Sequence, residues 1–538
     1  MTPWSQNYTP VGGSLAMSAL VASIPIFVLL YLIGIKRKPA WMAGVAGLIA
    51  AIGVAAVVYE MPVSLLASSV AYGACFGLFP IGWIVFWAIV LYRITVETGN
   101  FEIIKDSVGG LTDDRRLQAL LIAFALGAFI EGAAGFGTPV AVAAAMLTGL
   151  GFSPFYAAGI CLLANTAPVA FGSIGIPIVT LAGITGLPMQ ELSAWVGRIC
   201  APVSLFIPAY LMMVMGGWRA LKGVLPAAAI CGVSFAGTQF LVSNYIGPQL
   251  TDILSALAAI VSLVVLFLVW KPSDTFVLEG ASAVMQKPKK HAAGTTIRAW
   301  SPYLFLVVFV LLWGNDPVKS MINQVTVKFP WPGLHNMILR VEPVVKTSAP
   351  YAAEYTLNWL SAAGTACLLA TVASMLVLGV SISRYVGILV AVGKQLLFSM
   401  ITIACVLGLA FLMNYSGATG TLGLAFAATG VLFPFFSAML GWLGVFLTGS
   451  DTSANALFGN LQVVTANRLN LDPVLMAASN SSGGVMGKMI SLQSIAVAAA
   501  ATGMKPEEEA KLFRFTSKHS VFLASVLGVI TAIYAYMK

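Results

Sequence analysis

The sequence predicts an all-α polytopic membrane protein, and three observations carry that prediction. Only 9% of the 538 residues are charged while 59% are hydrophobic, against roughly a quarter charged in an ordinary soluble domain. Apolar stretches recur along the whole length and match the span length of about 20 residues, with no polar region large enough for a soluble domain between them. Two of the apolar regions are interrupted by Gly, Pro, Ser, Thr and Asn. Together these predict one membrane domain over residues 1–538, with roughly 12 to 14 spans or half-spans. They also predict two inverted repeats, with cores at 117–243 and 396–538, built from broken or re-entrant helices.

The spans follow in order. Residues 1–13 lack Lys and Arg, 14–35 are apolar, and Lys36, Arg37 and Lys38 come next, so the positive-inside rule places the N-terminus outside. A cleaved signal peptide has the reverse flanks, which predicts that the first span is retained. Span 40–59 returns outward to Glu60, and 62–95 comes back to a polar segment, Glu97 to Arg116, containing Lys105 and Arg115. Further basic clusters mark cytoplasmic ends: Arg219 and Lys222; the loop 271–299 with Lys271, Lys287, Lys289, Lys290 and Arg298; Arg384 and Lys394; and Lys505, Lys511 and Arg514. Their dispersal between apolar segments assigns the net charge of +9 to topology and not to a nucleic-acid face. The mixed loop 315–355, with Asp316, Lys319, Arg340, Glu342, Lys346 and Glu354, falls outside by parity. A last span at 519–537 leaves the C-terminus outside too.

The interrupted regions are 127–190 and 444–500. The first reads Gly127-Ala-Phe-Ile-Glu131-Gly-Ala-Ala-Gly-Phe-Gly-Thr138-Pro139 and resumes at Ala164-Asn165-Thr166-Ala-Pro168. The second reads Gly444-Val-Phe-Leu-Thr-Gly-Ser450-Asp451-Thr452-Ser453-Ala-Asn455 and resumes at Ser479-Asn480-Ser481-Ser482-Gly-Gly-Val-Met-Gly-Lys488. Unpaired backbone in hydrocarbon costs several kcal/mol per group, so such breaks point into protein or a water-filled cavity. Half-helix ends there offer N–H groups and a positive dipole end to a carboxylate. Both regions contain Gly-x-Phe-x-x-Gly, and Asn165 and Asn480 lie 33 and 31 residues after the second glycine. The chain enters the first from the inside and the second from the outside, the arrangement of inverted repeats around a midplane site.

Charge at the bilayer centre costs about 2.5 to 3.5 kcal/mol or more, which makes intramembrane ionisable residues functional candidates. Four qualify: Glu131, Arg198, Asp451 and Lys488. Glu131 and Asp451 are candidate proton-coupling groups; the competing role is an internal ion pair or a helix cap, which Asp451 before Thr452 and Ser453 fits. Lys488 offers a point charge to a carboxylate or pairs with Asp451, and Arg198 either meets substrate or snorkels to an interface. Arg468 and Asp472 border a turn at Pro473. The further substrate-binding candidates are Asn165, Thr166, Asn480, Ser481, Ser482, Gly137, Thr138, Ser450, Thr452, Ser453 and Asn455.

The six cysteines, Cys75, Cys161, Cys200, Cys231, Cys367 and Cys405, have no metal-ligand or CxxC spacing, and His291, His335 and His519 lie in or beside polar segments. No metal and no cofactor is expected. With no phosphate-binding loop and no catalytic constellation, the chain reads as a gradient-driven carrier and not an enzyme. Gly-rich re-entrant segments also build channel filters, so a passive anion channel or facilitator is the alternative class.

At these motifs the sequence resembles the L-lactate and glycolate permease family of bacterial secondary transporters. The resemblance runs through Met1-Thr-Pro-Trp4, Leu78-Phe-Pro-Ile-Gly-Trp-Ile-Val-Phe86, Thr95-Val-Glu-Thr-Gly99, Leu111-Thr-Asp-Asp-Arg-Arg-Leu-Gln-Ala-Leu120 and Glu131-Gly-Ala-Ala-Gly-Phe-Gly-Thr-Pro139. It continues through Asn165-Thr-Ala-Pro-Val-Ala-Phe171, Phe446-Leu-Thr-Gly-Ser-Asp-Thr-Ser453 and Gly487-Lys-Met-Ile-Ser-Leu-Gln-Ser494, with Ala454 where Ser is expected. It implies proton-coupled uptake of L-lactate and related 2-hydroxymonocarboxylates such as D-lactate and glycolate through the inner membrane. It also implies kinship with the ion transporter superfamily, with inverted repeats, re-entrant hairpins and an elevator-like motion. The expected partners are a small carboxylate, a proton and the bilayer, with a homodimer left open. A sodium-coupled carboxylate symporter is the alternative among carriers, since carboxylates, Asn and exposed carbonyls also suit sodium.

Overall fold

The computed structural model describes residues 3–135, 137–274, 276 and 289–537; Lys287 of the predicted basic loop lies outside them. Among these residues, 12 helices are long and apolar enough to cross a membrane. A pair bent by 64°, Pro154–Ala164 with Val169–Thr185, makes a thirteenth, within the range that span length predicts.

The first two spans fall at Leu15–Ile35 and Ala40–Val57. The third, Val63–Glu97, is 35 residues long, about 52 Å at the α-helical rise and well beyond a bilayer core of ~30 Å. It accommodates the excess by opening at Phe79, whose φ of −141° and ψ of 123° are extended, just before Pro80, which has no N–H to donate. The final helix corrects the predicted span 519–537. It starts at Pro506, and its first turn carries Glu507, Glu508 and Glu509, because acidic residues favour a helix N-terminus and the Lys505 N–H donates to Glu508 at 3.3 Å.

Loop 315–355 departs from the all-α expectation. It contributes short strands, Val327–Pro330 pairing antiparallel with Glu354–Leu357 and Ile338–Arg340 with Ala349–Pro350. Trp4–Ser5 adds a parallel strand beside Ile338–Arg340. The N-terminus and this loop therefore share one end of the molecule. Basic clusters gather at the other. Fully buried Arg116 bridges Asp114 at 2.7 Å and Asp274 at 2.9 Å and stacks on Phe276. Its hydrogen bonds hold the Asp274 carboxyl below the usual carboxylate range. His291 meets Asp106 at 2.8 Å, and Arg384 donates to the Glu97 carbonyl.

The Arg115–Ala133 span is wholly enclosed by other helices, as a helix apolar all round should be. From it the chain runs helix, break, Thr138–Gly149, turn, Pro154–Ala164, break, Gly172–Thr185, turn, and the long Met189–Gly223 helix. The later region repeats that succession: Phe433–Thr448, break, Asp451–Arg468, turn, Pro473–Lys488, break, Leu492–Thr502, turn, and the long Pro506–Tyr536 helix. The pieces cross-pack. Gly172–Thr185 lies against Asp451–Arg468, and Thr138–Gly149 against Leu492–Thr502.

Ser479–Lys488 does not unwind as its Gly and Ser content suggests; it is helical up to Lys488. Its glycines serve close packing instead. A Cβ on Gly483 or Gly487 would drive into the carbonyls of Ala438 and Trp442, and one on Gly441 into that of Asn480. Small residues one turn apart let two backbones approach this closely. The turn before this helix is the predicted one: Asp472 caps it by accepting from the Val474 N–H at 2.8 Å.

Candidate functional site

Breaks from the two interrupted regions face each other across one cavity. In the first region, Gly135 and Gly137 take positive φ, and Ser173, Ile174 and Gly175 are three consecutive left-handed residues opening the Gly172–Thr185 helix. Ser173 Oγ donates to the Ala134 carbonyl at 3.0 Å, tying one break to the other. In the second region Gly449 takes a φ of 73°. Ser450 then caps the Asp451–Arg468 helix by accepting from the Ser453 N–H at 3.2 Å. The cap is therefore Ser450, and Asp451 at the first helical position is left for another task.

Between these breaks lies a cavity of about 160 Å³, lined by Glu131, Gly172, Ser173, Thr448, Gly449, Ser450, Asp451, Thr452, Ser453, Lys488 and Gln493, with Ser399 and Thr402 from the Ile382–Ser416 helix. Two helix starts, at Gly172 and at Ser450, border it. Lys488 is buried and donates to the Gly449 carbonyl at 2.6 Å; no ion pair to Asp451 or Glu131 forms among the described residues. The ammonium is thus held at the cavity wall by a neutral partner and keeps two N–H donors.

Asp451 is built in more firmly. Its Oδ2 accepts from Ser481 Oγ at 2.6 Å and from Asn455 Nδ2 at 3.4 Å, while Oδ1 has no partner among the described residues. Asn455 also donates to the Pro177 carbonyl at 3.1 Å. Asn480 donates to Asn455 Oδ1 at 3.0 Å, and Gln462 to Asn480 Oδ1 at 3.0 Å. Asn455, Asn480 and Ser481 therefore stand behind Asp451 as a supporting network and do not line the cavity. A Cβ on Gly484 would collide with Asp451 Oδ1, so glycine makes room for the carboxylate.

Glu131 is also buried. A Cβ on Gly172 would lie 2.6 Å from its Oε1, and its Oε2 has no hydrogen-bond partner among the described residues. Asn165 is buried too and its amide acts on the Glu131 carboxyl, although neither end of it reaches a hydrogen bond of ordinary geometry among the described residues. Thr166 and Ser482 bond to carbonyls of their own helical turns, Leu163 and Ala478. Gly137 abuts Val497, and neither it nor Thr138 lines the cavity. Arg198 is held elsewhere, donating to Asn244 Oδ1 at 2.8 Å and stacking on Trp195.

Sequence reasoning did not single out Ser173, Thr448, Gln493, Ser399, Thr402 or the second-layer Gln462. It also missed Asp252, a carboxylate that is 1% exposed in the first turn of the Thr251–Val269 helix. The signal was present: between Lys222 and Lys271 it is the one charged residue.

Ala40, Thr448, Gly449 and Gln493 also line a second cavity of about 960 Å³, which reaches Arg37, Lys38 and Arg514 at the basic end. A third, of about 910 Å³, lies beside Lys319 and Lys328 in the loop that pairs with the N-terminal end, and shares no lining residue with the small one.

A family model described as L-lactate permease matches residues 18–538. The chain belongs to the L-lactate permease family. It is 47% identical over 555 residues to glycolate permease GlcA of Escherichia coli, covering 100% of this chain and 99% of that protein. It is 48% identical to an L-lactate permease of Bacillus subtilis, covering 98% of each, and 44% identical to an L-lactate permease of Escherichia coli, covering 100% and 99%. Among solved structures, the YdaH transporter of Alcanivorax borkumensis aligns over 88% of this chain and 87% of its own with a TM-score of 0.45 and 13% identity. As a member of the L-lactate permease family the chain is a multi-pass membrane transport protein. The small cavity lies within the matched segment.

Proposed function

We propose that this permease is a proton-coupled symporter that takes up L-lactate, D-lactate and glycolate through the bacterial inner membrane, with its N-terminus in the periplasm. The observation that carries this reading is the make-up of the small cavity. It holds one ammonium, two carboxylates and a ring of hydroxyl groups in a space suited to a small solute. An incoming carboxylate finds Lys488, the helix start at Ser450, and hydroxyls on Ser173, Thr448, Thr452 and Ser453 for its remaining oxygens. With both Glu131 and Asp451 ionised the cavity bears net negative charge and repels the anion. A proton on either carboxylate removes that repulsion, so proton and substrate favour each other's binding by reciprocal linkage.

The two regions serve in this proposal as inverted repeats. The shared succession of elements supports it, and so do their entry points. Arg116 at the start of the first helix meets Asp274. The second region is entered past Val431, which accepts from Tyr536 at 2.8 Å, at the far end of the helix that starts beside Arg37 and Lys38. The site's shared walls with the basic-end cavity correspond to an inward-facing state of an alternating-access cycle.

Uptake into sodium-free proteoliposomes under an imposed pH gradient tests the coupling. Accumulation of lactate is expected. Accumulation only with sodium favours the sodium symporter, and flux without accumulation the passive facilitator. Competition by D-lactate, glycolate, pyruvate and acetate sets the substrate range, since a single methyl is worth only about 1 to 3 kcal/mol in a pocket.

A further inference from the structure

Asp252 lies behind the cavity wall. Both of its carboxylate oxygens are buried and neither has a hydrogen-bond partner among the described residues. The same holds for Oε2 of Glu131. The helices that carry them touch: the Thr251–Val269 helix packs on Gly127–Ala133, and a Cβ on Gly132, the residue after Glu131, would sit 2.8 Å from the Asp252 Cβ. The charge of Glu131 acts on Asp252, and no cation is among the groups that do so, whereas Glu131 itself senses the Lys488 ammonium and the Asn165 amide.

The elements packed against Asp252's helix are Gly127–Ala133, Ala119–Leu126, Gly172–Thr185 and Leu225–Tyr245. Their titratable groups are Glu131, Cys231 and Tyr245, and Cys200 on Met189–Gly223 also senses Asp252. An isolated ionised carboxylate in such surroundings is prohibitively unfavourable, and a second one on the neighbouring helix adds repulsion.

We propose that Asp252 and Glu131 form a proton-sharing carboxylate pair, in which Glu131 faces the substrate cavity and Asp252 holds the coupling proton while the cavity is empty. This rests on the symport reading above. When substrate binds, the proton leaves Asp252 for Glu131: one O–H bond breaks and one forms, and the negative charge moves to Asp252, away from the bound anion, with no net change. The proton is then retained while the cavity changes sides. A plain helix-terminus role for Asp252 is the structural alternative, and Asn would largely preserve it.

The test uses the full chain in sodium-free proteoliposomes, measuring lactate counterflow and pH-driven accumulation in parallel. A one-unit pH gradient supports about tenfold accumulation per proton. Asp252→Asn is expected to keep counterflow, with a flattened pH profile, and to lose that accumulation. Wild-type accumulation and pH profile in Asp252→Asn overturn the proposal. Failure of the natural protein itself to accumulate lactate sinks the symport reading instead. Should Asp252→Asn not fold, dicyclohexylcarbodiimide labelling of the natural protein decides. Modification of Asp252 that declines as pH rises supports the pair, and modification of Glu131 without Asp252 overturns it.

Discussion

Lys488 and Glu131 divide the labour of the cavity in a way that substitution can separate. Lys488→Ala removes the one ammonium from the wall, and a lost charge-assisted contact of roughly 1.5 to 3 kcal/mol corresponds to about a 10- to 100-fold rise in the lactate KM. Counterflow titrated against lactate measures it, and an unchanged KM means that Lys488 does not touch substrate. Glu131→Gln keeps the shape of the residue and removes its titration. Counterflow should persist while pH-driven accumulation disappears; a variant that still concentrates lactate with normal pH dependence removes Glu131 from coupling. The two residues were legible in the sequence because a charge within apolar sequence stands out. Asp252 was not read as one of them, since a carboxylate at the start of an apolar stretch looks like an interfacial residue until its burial is known.

At the scale of elements, the decisive contact is between Phe433–Thr448 and Pro473–Lys488. Gly441, Gly483 and Gly487 put backbone against backbone there, which holds Lys488 and Ser481 at fixed distances from Gly449 and Asp451. Gly483→Ala is expected to destabilise by roughly 1 to 3 kcal/mol through overpacking, read as a lower thermal midpoint in detergent. Gly53→Ala, where a Cβ meets nothing within 4 Å, should leave the midpoint unchanged or raise it. Glycine in a membrane segment therefore has two meanings that composition alone does not separate. At Gly135, Gly137 and Gly449 it permits a left-handed break, whereas at Gly483 and Gly487 it permits a close helix crossing within an unbroken helix.

Across the whole molecule, the predicted sidedness becomes a testable geometry. The strand Trp4–Ser5 pairs with Ile338–Arg340, so the N-terminus and loop 315–355 must share a side. In intact cells Asn7→Cys and Lys346→Cys should react with an impermeant thiol reagent. Lys38→Cys, at the basic end, should react only after permeabilisation. Labelling of Asn7→Cys and Lys346→Cys from opposite sides would contradict the pairing.

The sequence by itself determined the membrane setting, the approximate spans, their basic ends, most of the breaks and the cavity's three charged groups. Each is a local property: span length, charge placement, or glycine and proline within an apolar run. The tertiary structure alone decided which polar residues meet. It brought Glu131, Ser173, Asp451, Lys488 and Gln493 to one cavity, set Asn455, Asn480 and Ser481 behind Asp451, sent Arg198 to Asn244, and placed Asp252 behind Glu131. The reason is that lipid and protein interior are equally apolar. The spans Arg115–Ala133 and Ala293–Gly314 have nearly the same hydropathy, yet the apolar stretch of the first is 100% buried and that of the second only 28%. A sequence pattern reports that a helix avoids water, and only packing shows which face meets a neighbour.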